Sequence, residues 1–564
     1  MEVAVNWLIE TLRRYPELAV FLVVALGALI GKIKLGSISL GTVTGALFAG
    51  LLVGQLDIPI AGPAKSILYL LFLVGNGYSI GPQFFRSLKG EGVRYLVLAV
   101  VQCSAGLLGA VVMSRLLNLD VGMAAGLLSG ALTQSPAIGT ASEAINALPL
   151  PADQRTLLVA HVAIGDALTY LFGTAGTIWF LSLLAPRILR INLAGEARKL
   201  EDELHIDHAQ SGLLSTYTPF ALRAYRVRSL SVAGLKVCDF EASYPGKRFY
   251  VEQVRRDSAV LTEPEKIVLA PGDVVALSGR RSTVMEIGAA VGEEVDDKEL
   301  LDMPGNVQKI TVSNPAVVGK PLEDLAQWKE TRGVYLRQIK RIGQDIPILP
   351  GTTLNRGDEV ELLGTNAALK RFTALVGMPH KTGTATDLAA VCMAIFVGGL
   401  IGIPFVVLHG FRLSLGTAVG ALVMGIVLGW LHSVRPTFGN LPEAASSLMI
   451  SLGLSAFVGM NGMQAGTHFI AAFKAQGAPL LLGGVAVTLF PLICSVLFGR
   501  YVLKLNPLLL LGACAGAQTV TAALAEVQDK SGSRTPVLGY TVPYAIGNIL
   551  LTIWGSIIVT LLAT

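Results

Sequence analysis

The chain has 564 residues, 52% of them hydrophobic and 15% charged, with a mean hydropathy of +0.61 and a formal net charge of +5. A water-soluble protein of this size needs far less apolar sequence, and no basic patch interleaved with aromatics is present, which argues against nucleic acid as a partner. Residues 187–383 hold 53 of the 83 charged side chains, so a stretch suited to water interrupts a chain suited to lipid.

The first apolar run, from Leu18, follows Arg13 and Arg14; lacking a small-residue cleavage site, it reads as a first span rather than a signal peptide. Runs of spanning length lie at 17–31, 38–54, 64–80, 93–117 and 156–184, and again at 385–409, 413–431, 444–462, 478–503 and 537–562. Between the fourth and fifth run of each set, 121–148 and 507–525 are apolar but broken by small and hydroxylated residues, which predicts broken or re-entrant hairpins. The sequence therefore predicts a polytopic α-helical membrane protein.

The two sets repeat each other. Residues 39–54 match 414–429 at nine of sixteen positions. Asn76, Gly77, Gly81, Phe84, Lys89 and Gly92 recur as Asn461, Gly462, Gly466, Phe469, Lys474 and Gly477. Gly126, Gly130, Ala131, Thr133, Ser135 and Ala137 recur as Gly512, Gly516, Ala517, Thr519, Thr521 and Ala523, and Asp166 falls opposite Asn548. Shared composition does not produce such matches in one order. Five spans per half make the second copy inverted, the plan of alternating-access carriers. Placing 187–383 in the cytoplasm puts ten Lys and Arg of the membrane halves inside against seven outside, with Arg187, Arg190 and Lys381 adding to the inside; both termini then lie outside.

The polar stretch carries a repeat of its own. Leu269, Gly272, Asp273, Val275, Leu277 and Gly279 recur 85 residues later as Leu354, Gly357, Asp358, Val360, Leu362 and Gly364, each set a Gly-Asp turn before a strand, with helices following at 282–291 and 366–376. Two small α+β modules are expected. Neither carries GxGxxG or a Walker lysine, so no nucleotide cofactor is implied. The domains expected are 1–186 (membrane repeat 1), 187–300 (linker and first module), 301–383 (second module) and 384–564 (membrane repeat 2).

Chemistry concentrates at the hairpins. Thr133, Gln134, Ser135 and Pro136 lie within GALTQSPAIG, and Gln518, Thr519 and Thr521 within GAQTVTAAL. Each unpaired amide or hydroxyl costs roughly 2–7 kcal/mol in hydrocarbon, so these groups face protein, water or ligand. Pro136 is expected to free backbone N–H groups at a half-helix start, which favours an anion; the alternative is that the hydroxyls only join helices. Asp166, with His161 about a turn earlier, either receives an ammonium or carries a proton, and its counterpart Asn548, near Tyr540 and Tyr544, is neutral. Asn76 and Asn461, expected at span ends, either cap or bind ligand. Arg86 and Lys89 read as positive-inside anchors. His409, His432 and His468 share no metal-binding spacing, and no hydrolytic set is present, so no enzyme is expected. Of the five cysteines, Cys103, Cys392, Cys494 and Cys514 lie in apolar runs and are expected to pack as small hydrophobes, while Cys238 lies in the polar stretch; no CxxC pair occurs.

GPQFF at 81–85, GALTQSPAIG from Gly130, GAQTVTAAL from Gly516 and VLGYTVPYAIGNILLTIWG at 537–555, around two central modules, resemble the AspT-type aspartate:alanine exchanger family over nearly the whole chain. The L-x-x-G-D-x-V-x-L-x-G pattern from Leu269 and from Leu354 resembles TrkA-C (RCK-C) domains. The resemblance implies a homodimeric antiporter of the bacterial inner membrane, exchanging aspartate for alanine without a cofactor, with substrate carboxylates at Thr133–Ser135 and Gln518–Thr521 and the amino group at Asp166 or Asn548. Family members also move other dicarboxylates or export glutamate, and the TrkA-C modules either bind a regulatory ligand or brace the dimer. The competing classes are a TrkA-C-gated channel, for which no TVGYG-like filter is present, and a membrane-anchored sensor, which leaves duplicated broken helices without a purpose.

Overall fold

The computed structural model describes residues 2–35, 38–39, 41–60, 62–88, 92–203, 220–244, 247, 249–261, 266–302, 305–379, 385–408, 411–414, 416–435 and 438–563. Lys89, Lys381 and His409 lie outside them. The chain divides into two compact units, one of 1–204, 340–347 and 382–564, the other of 205–339 and 348–381.

In the first unit, Gly92–Leu116, Ala152–Leu189, Gly416–Val434, Glu443–Tyr501 and Val537–Leu562 are long and apolar enough to cross a membrane, and Pro16–Ile30, Thr42–Leu56, Val121–Ala131, Leu388–Gly402 and Pro507–Ala517 are shorter apolar helices. Three differences from the sequence expectation have physical causes. A helix at Glu2–Arg14 precedes the first span, its polar residues hiding it from a hydropathy reading. The expected spans at 38–54, 385–409 and 413–431 are trimmed, because Lys34–Leu35 pairs with Ile38–Ser39, and Phe405–Leu408 with Phe411–Ser414, as β-hairpins. Gly41 (φ +79°) and Gly416 (φ +75°) turn the chain from these hairpins into the next helix. The expected spans 444–462 and 478–503 are one helix, Glu443–Tyr501, whose 59 residues rise about 88 Å at 1.5 Å each. Gly477 and Pro479, read as a break, lie inside it: an internal proline deletes one backbone hydrogen bond, a loss a long packed helix absorbs.

Glycines hold this unit together. A methyl group at Gly45, Gly50 or Gly54 would collide with backbone of Gly27, Gly459 or Met463; at Gly420, Gly425 or Gly429, with backbone of Gly398, Val74 or Tyr78. Removing Cβ lets backbones approach closely, which substitutes for a hydrophobic driving force where the solvent is lipid. Small-residue contacts of the same kind fasten Gly122, Gly126 and Gly130 to the Ala152–Trp179 helix, and Gly512 and Gly516 to residues 536–544. Cys103 and Cys514 are buried as expected; Cys392 is exposed and Cys494 only half-buried, because their helix faces turn outward.

In the second unit, the strands Ala259–Leu261, Phe249–Arg256, Val274–Arg280, Phe220–Val227 and Gly292–Val295 lie side by side in that order, and residues 334–339 of the strand Val334–Arg341, with Glu359–Thr365, Gly305–Val312 and Gly377–Pro379, follow the order of the last four. The helices Arg281–Val291 and Asn366–Val376 fall where the sequence placed them. Each Gly-Asp turn has the glycine at positive φ (Gly272 +92°, Gly357 +83°) and the aspartate accepting a backbone N–H, Asp273 from Ala270 and Asp358 from Asn355, both at 2.8 Å. The modules differ inside. Phe240 and Phe249, in edge-on contact at 5.3 Å, become Leu325 and Val334 at the 85-residue register, and a cavity of about 280 Å³ lies against the smaller pair.

Arg332 of the second module grips Glu241 of the first at 2.7 Å, and Glu241 also accepts the Val251 N–H. Burial pushes the Glu241 carboxyl above the ordinary glutamate range, and the guanidinium pulls it back only in part. A raised folded-state value means that this carboxyl favours folding at low pH, an effect lost as pH climbs from the unfolded value, about 4.3, through the folded one. Arg332→Ala, which leaves the carboxylate without its partner, is expected to destabilise the unit by about 3 kcal/mol at pH 7 and far less at pH 4, read by urea unfolding. An equal loss at both pH values rules this account out.

Candidate functional site

The two hairpins are built alike. Val121–Ala131 starts on Asp120, which accepts the Met123 N–H at 2.9 Å, and Pro507–Ala517 starts on Asn506, which accepts that of Leu508 at 2.9 Å. Each helix ends in a Schellman turn: Thr133 N–H donates to Gly130 (3.0 Å) and Gln134 N–H to Ser129 (2.7 Å), as Thr519 N–H does to Gly516 (2.8 Å) and Val520 N–H to Ala515 (3.0 Å). The left-handed position of that turn favours glycine, yet threonine fills it in both, at φ +57° and +59°. A β-branched residue there is strained, and such strain persists where the side chain has another task.

That task is visible in the contacts. The Thr133 hydroxyl donates to the Gln518 carbonyl at 2.7 Å, and the Thr519 hydroxyl to the Gln134 side-chain oxygen at 3.1 Å, so each tip grips the other. Gln134 Nε2 donates to the Thr552 hydroxyl (2.9 Å) and the Asn548 carbonyl (3.3 Å), and Asn76 Nδ2 to Asn548 Oδ1 (3.3 Å). Asp166, fully buried, accepts from Ser129 at 2.7 Å and Ser135 at 3.3 Å. Tyr69 donates its hydroxyl to the Pro136 carbonyl at 2.6 Å. One carboxylate, several amides and several hydroxyls thus converge where two chain breaks meet, a set able to hold a small solute with both anionic and cationic groups.

Most sequence-selected residues gather here: Thr133, Gln134, Ser135, Pro136, Gln518, Thr519, Asp166, Asn548 and Asn76. Thr521 faces aside, hydrogen-bonded to Tyr540 at 2.9 Å, with the Tyr540 ring stacked on Tyr544. Asn461 is elsewhere, accepting from Lys65 at 3.2 Å. Neither asparagine caps a helix: both lie inside one, Gly62–Ser87 and Glu443–Tyr501, because the following Gly77 and Gly462 serve helix packing rather than helix termination. His161 pairs with Asp120 at 2.7 Å, not with Asp166. The N–H groups expected to stand free beyond Pro136 are occupied, since Ala137, Ile138 and Gly139 donate to the carbonyls of Gln134, Ser135 and Pro136. A carboxylate at this tip must meet side chains. Sequence reading missed Gln102, which donates to Gln518 Oε1 at 3.1 Å, as well as Ser129, Tyr69 and Thr552. Gln102 had a signal, a lone amide in an apolar run.

Relatives identify the class. An uncharacterized transporter of Bradyrhizobium diazoefficiens is 44% identical over 91% of this chain and all of its own, one of Bordetella bronchiseptica 40% over 98% of each, and one of Shewanella oneidensis 36% over 99% of this chain and all of its own. No solved structure matches. With its helices of spanning length, the chain is a multi-pass membrane transporter. It belongs to the Asp-Al_Ex family, described as a predicted permease membrane region, whose pattern matches 19–186 and 390–560; a TrkA-C domain matches 307–377.

Proposed function

We propose that the chain is an electrogenic aspartate:alanine antiporter of the bacterial inner membrane, working by alternating access between two inverted repeats. The crossed tips carry this reading: hydroxyls and amides of Thr133, Gln134, Gln518 and Thr519 hold the carboxylates, and Asp166 or Asn548 orients the amino group. Pairwise contacts support the inverted repeats, since Gly50 meets Gly459 as Gly425 meets Val74, and Gly77 meets Leu422 as Gly462 meets Leu47, each pair exchanging the halves. The matching strand order supports a TrkA-C fold for the first module as well. In this reading 187–383 is cytoplasmic, both termini are periplasmic, the chain forms a homodimer and the modules take a regulatory ligand or brace it. Trading an anion for a zwitterion moves one charge per cycle, worth about 2.3 kcal/mol per 100 mV. Proteoliposomes loaded with alanine are expected to take up labelled aspartate while empty ones do not, and equal uptake by both excludes exchange.

A second reading, proton-coupled dicarboxylate or glutamate transport, draws on the burial of Asp166 beneath two hydroxyls, where the carboxyl serves as proton carrier. It requires that an imposed pH gradient drive uptake into empty vesicles.

A further inference from the structure

Glu143 lies on the returning arm of the first hairpin, Ala137–Asn146, and reaches across to another helix. One carboxylate oxygen accepts the Thr417 N–H at 2.7 Å and the Thr417 hydroxyl at 2.8 Å; the other accepts the Ala418 N–H at 3.3 Å. These are first-turn groups of Gly416–Val434, so a charged side chain from a different element caps the start of this helix. Gly416 makes room for it, since a methyl there would sit 2.7 Å from the Glu143 oxygen.

The repeat register places a counterpart for every part of this contact. Glu143 corresponds to Asp529 on the returning arm of the second hairpin, Thr521–Ser531, and Gly416, Thr417 and Ala418 correspond to Gly41, Thr42 and Val43 at the start of Thr42–Val53. The counterpart contact is open. Asp529 is exposed, and among the described residues Thr42–Val53 receives no side-chain cap and no atom lies within 4 Å of a methyl placed on Gly41, although its φ, +79°, matches that of Gly416. Burial at matched positions differs in part: Ser135, Pro136 and Gly139 of the first hairpin are buried whereas Thr521, Ala522 and Ala525 of the second are exposed, while Ala137, Ile138 and Ala141 and their counterparts Ala523, Leu524 and Val527 are all buried.

We propose that Glu143 and Asp529 are positioning residues that act as alternating latches, each fastening its hairpin arm to a helix N-terminus while the other is released. The structure holds the Glu143 latch closed. The inference rests on the inverted-repeat, alternating-access reading above and not on the identity of the substrate. Releasing the Glu143 contact lets the first arm open, and closing the Asp529 contact on Thr42 and Val43 buries the second.

The test uses the full chain, purified in detergent, with its five native cysteines replaced. Thr42→Cys with Asp529→Cys is expected to form a disulfide on mild oxidation although the two positions are unbonded here, and so is Thr417→Cys with Glu143→Cys, whose native side chains are in contact. With Ala522→Cys as a reporter, Glu143→Gln is expected to slow labelling by a polar thiol reagent about tenfold and Asp529→Asn to leave it equal or faster, while Glu143→Asp restores the unaltered rate. Absence of the Thr42–Asp529 disulfide, or equal slowing by both amide variants, overturns the latches, since a merely structural role moves both labelling rates together. Size-exclusion profiles confirm that each variant folds. None of these readouts involves aspartate or alanine, so a failure of the exchange assay leaves the latches standing, and the reverse holds.

Discussion

Thr133→Gly is expected to leave the protein folded and to cut transport at least tenfold. The left-handed backbone at Thr133 costs about 1–2 kcal/mol that glycine does not incur. Against this gain stand the lost hydrogen bond to Gln518, about 1 kcal/mol, and the extra chain entropy of glycine, about 0.5–1 kcal/mol. These nearly cancel, so thermal stability should stay within about 1 kcal/mol, while counterflow falls at least tenfold if, as proposed, Thr133 contacts the substrate. Thr133→Val separates the roles, because it keeps the branched strain and deletes the hydroxyl, losing stability and transport together. Wild-type counterflow by Thr133→Gly at normal expression removes Thr133 from the substrate site.

Asp166→Asn carries the second large effect. The amide fits the same space and keeps an oxygen for Ser129, so the fold is expected to survive. If the carboxylate meets the substrate ammonium, losing that charged pair costs about 3 kcal/mol, or more than 100-fold in apparent affinity for aspartate and alanine, while a dicarboxylate without an amino group, such as succinate, is spared. If Asp166 is the proton carrier, uptake of every substrate loses its response to a pH gradient. Counterflow across a panel of amino acids and dicarboxylates separates the outcomes, and unchanged kinetics for all of them excludes both roles.

The hairpins were legible because costly groups in apolar sequence must be satisfied, and the same residues appear twice. Thr133 and Thr519 needed only that argument. Their meeting did not show, because a hydroxyl bonded to the Gln518 carbonyl spans 385 positions and leaves no local pattern. Glu443–Tyr501 was divided in two because a hydropathy reading treats Lys474, Gly477 and Pro479 as interruptions, whereas the backbone needs only most of its hydrogen bonds. Asn76 and Asn461 looked alike by register and took different partners, one at the tips and one with Lys65; that divergence belongs to tertiary packing. Glu143 carries no sequence signal of its own, and only the fold shows the helix end it serves.

The glycine seams define what the two sets of helices have in common. Gly45, Gly50, Gly54, Gly77, Gly81, Gly126 and Gly130 and their counterparts Gly420, Gly425, Gly429, Gly462, Gly466, Gly512 and Gly516 all lie where an added methyl would overlap a neighbour. At each of these fourteen positions a side chain would force packed backbones apart, so the two halves share a pattern of excluded volume, while positions away from it differ, with aspartate at 166 and asparagine at 548.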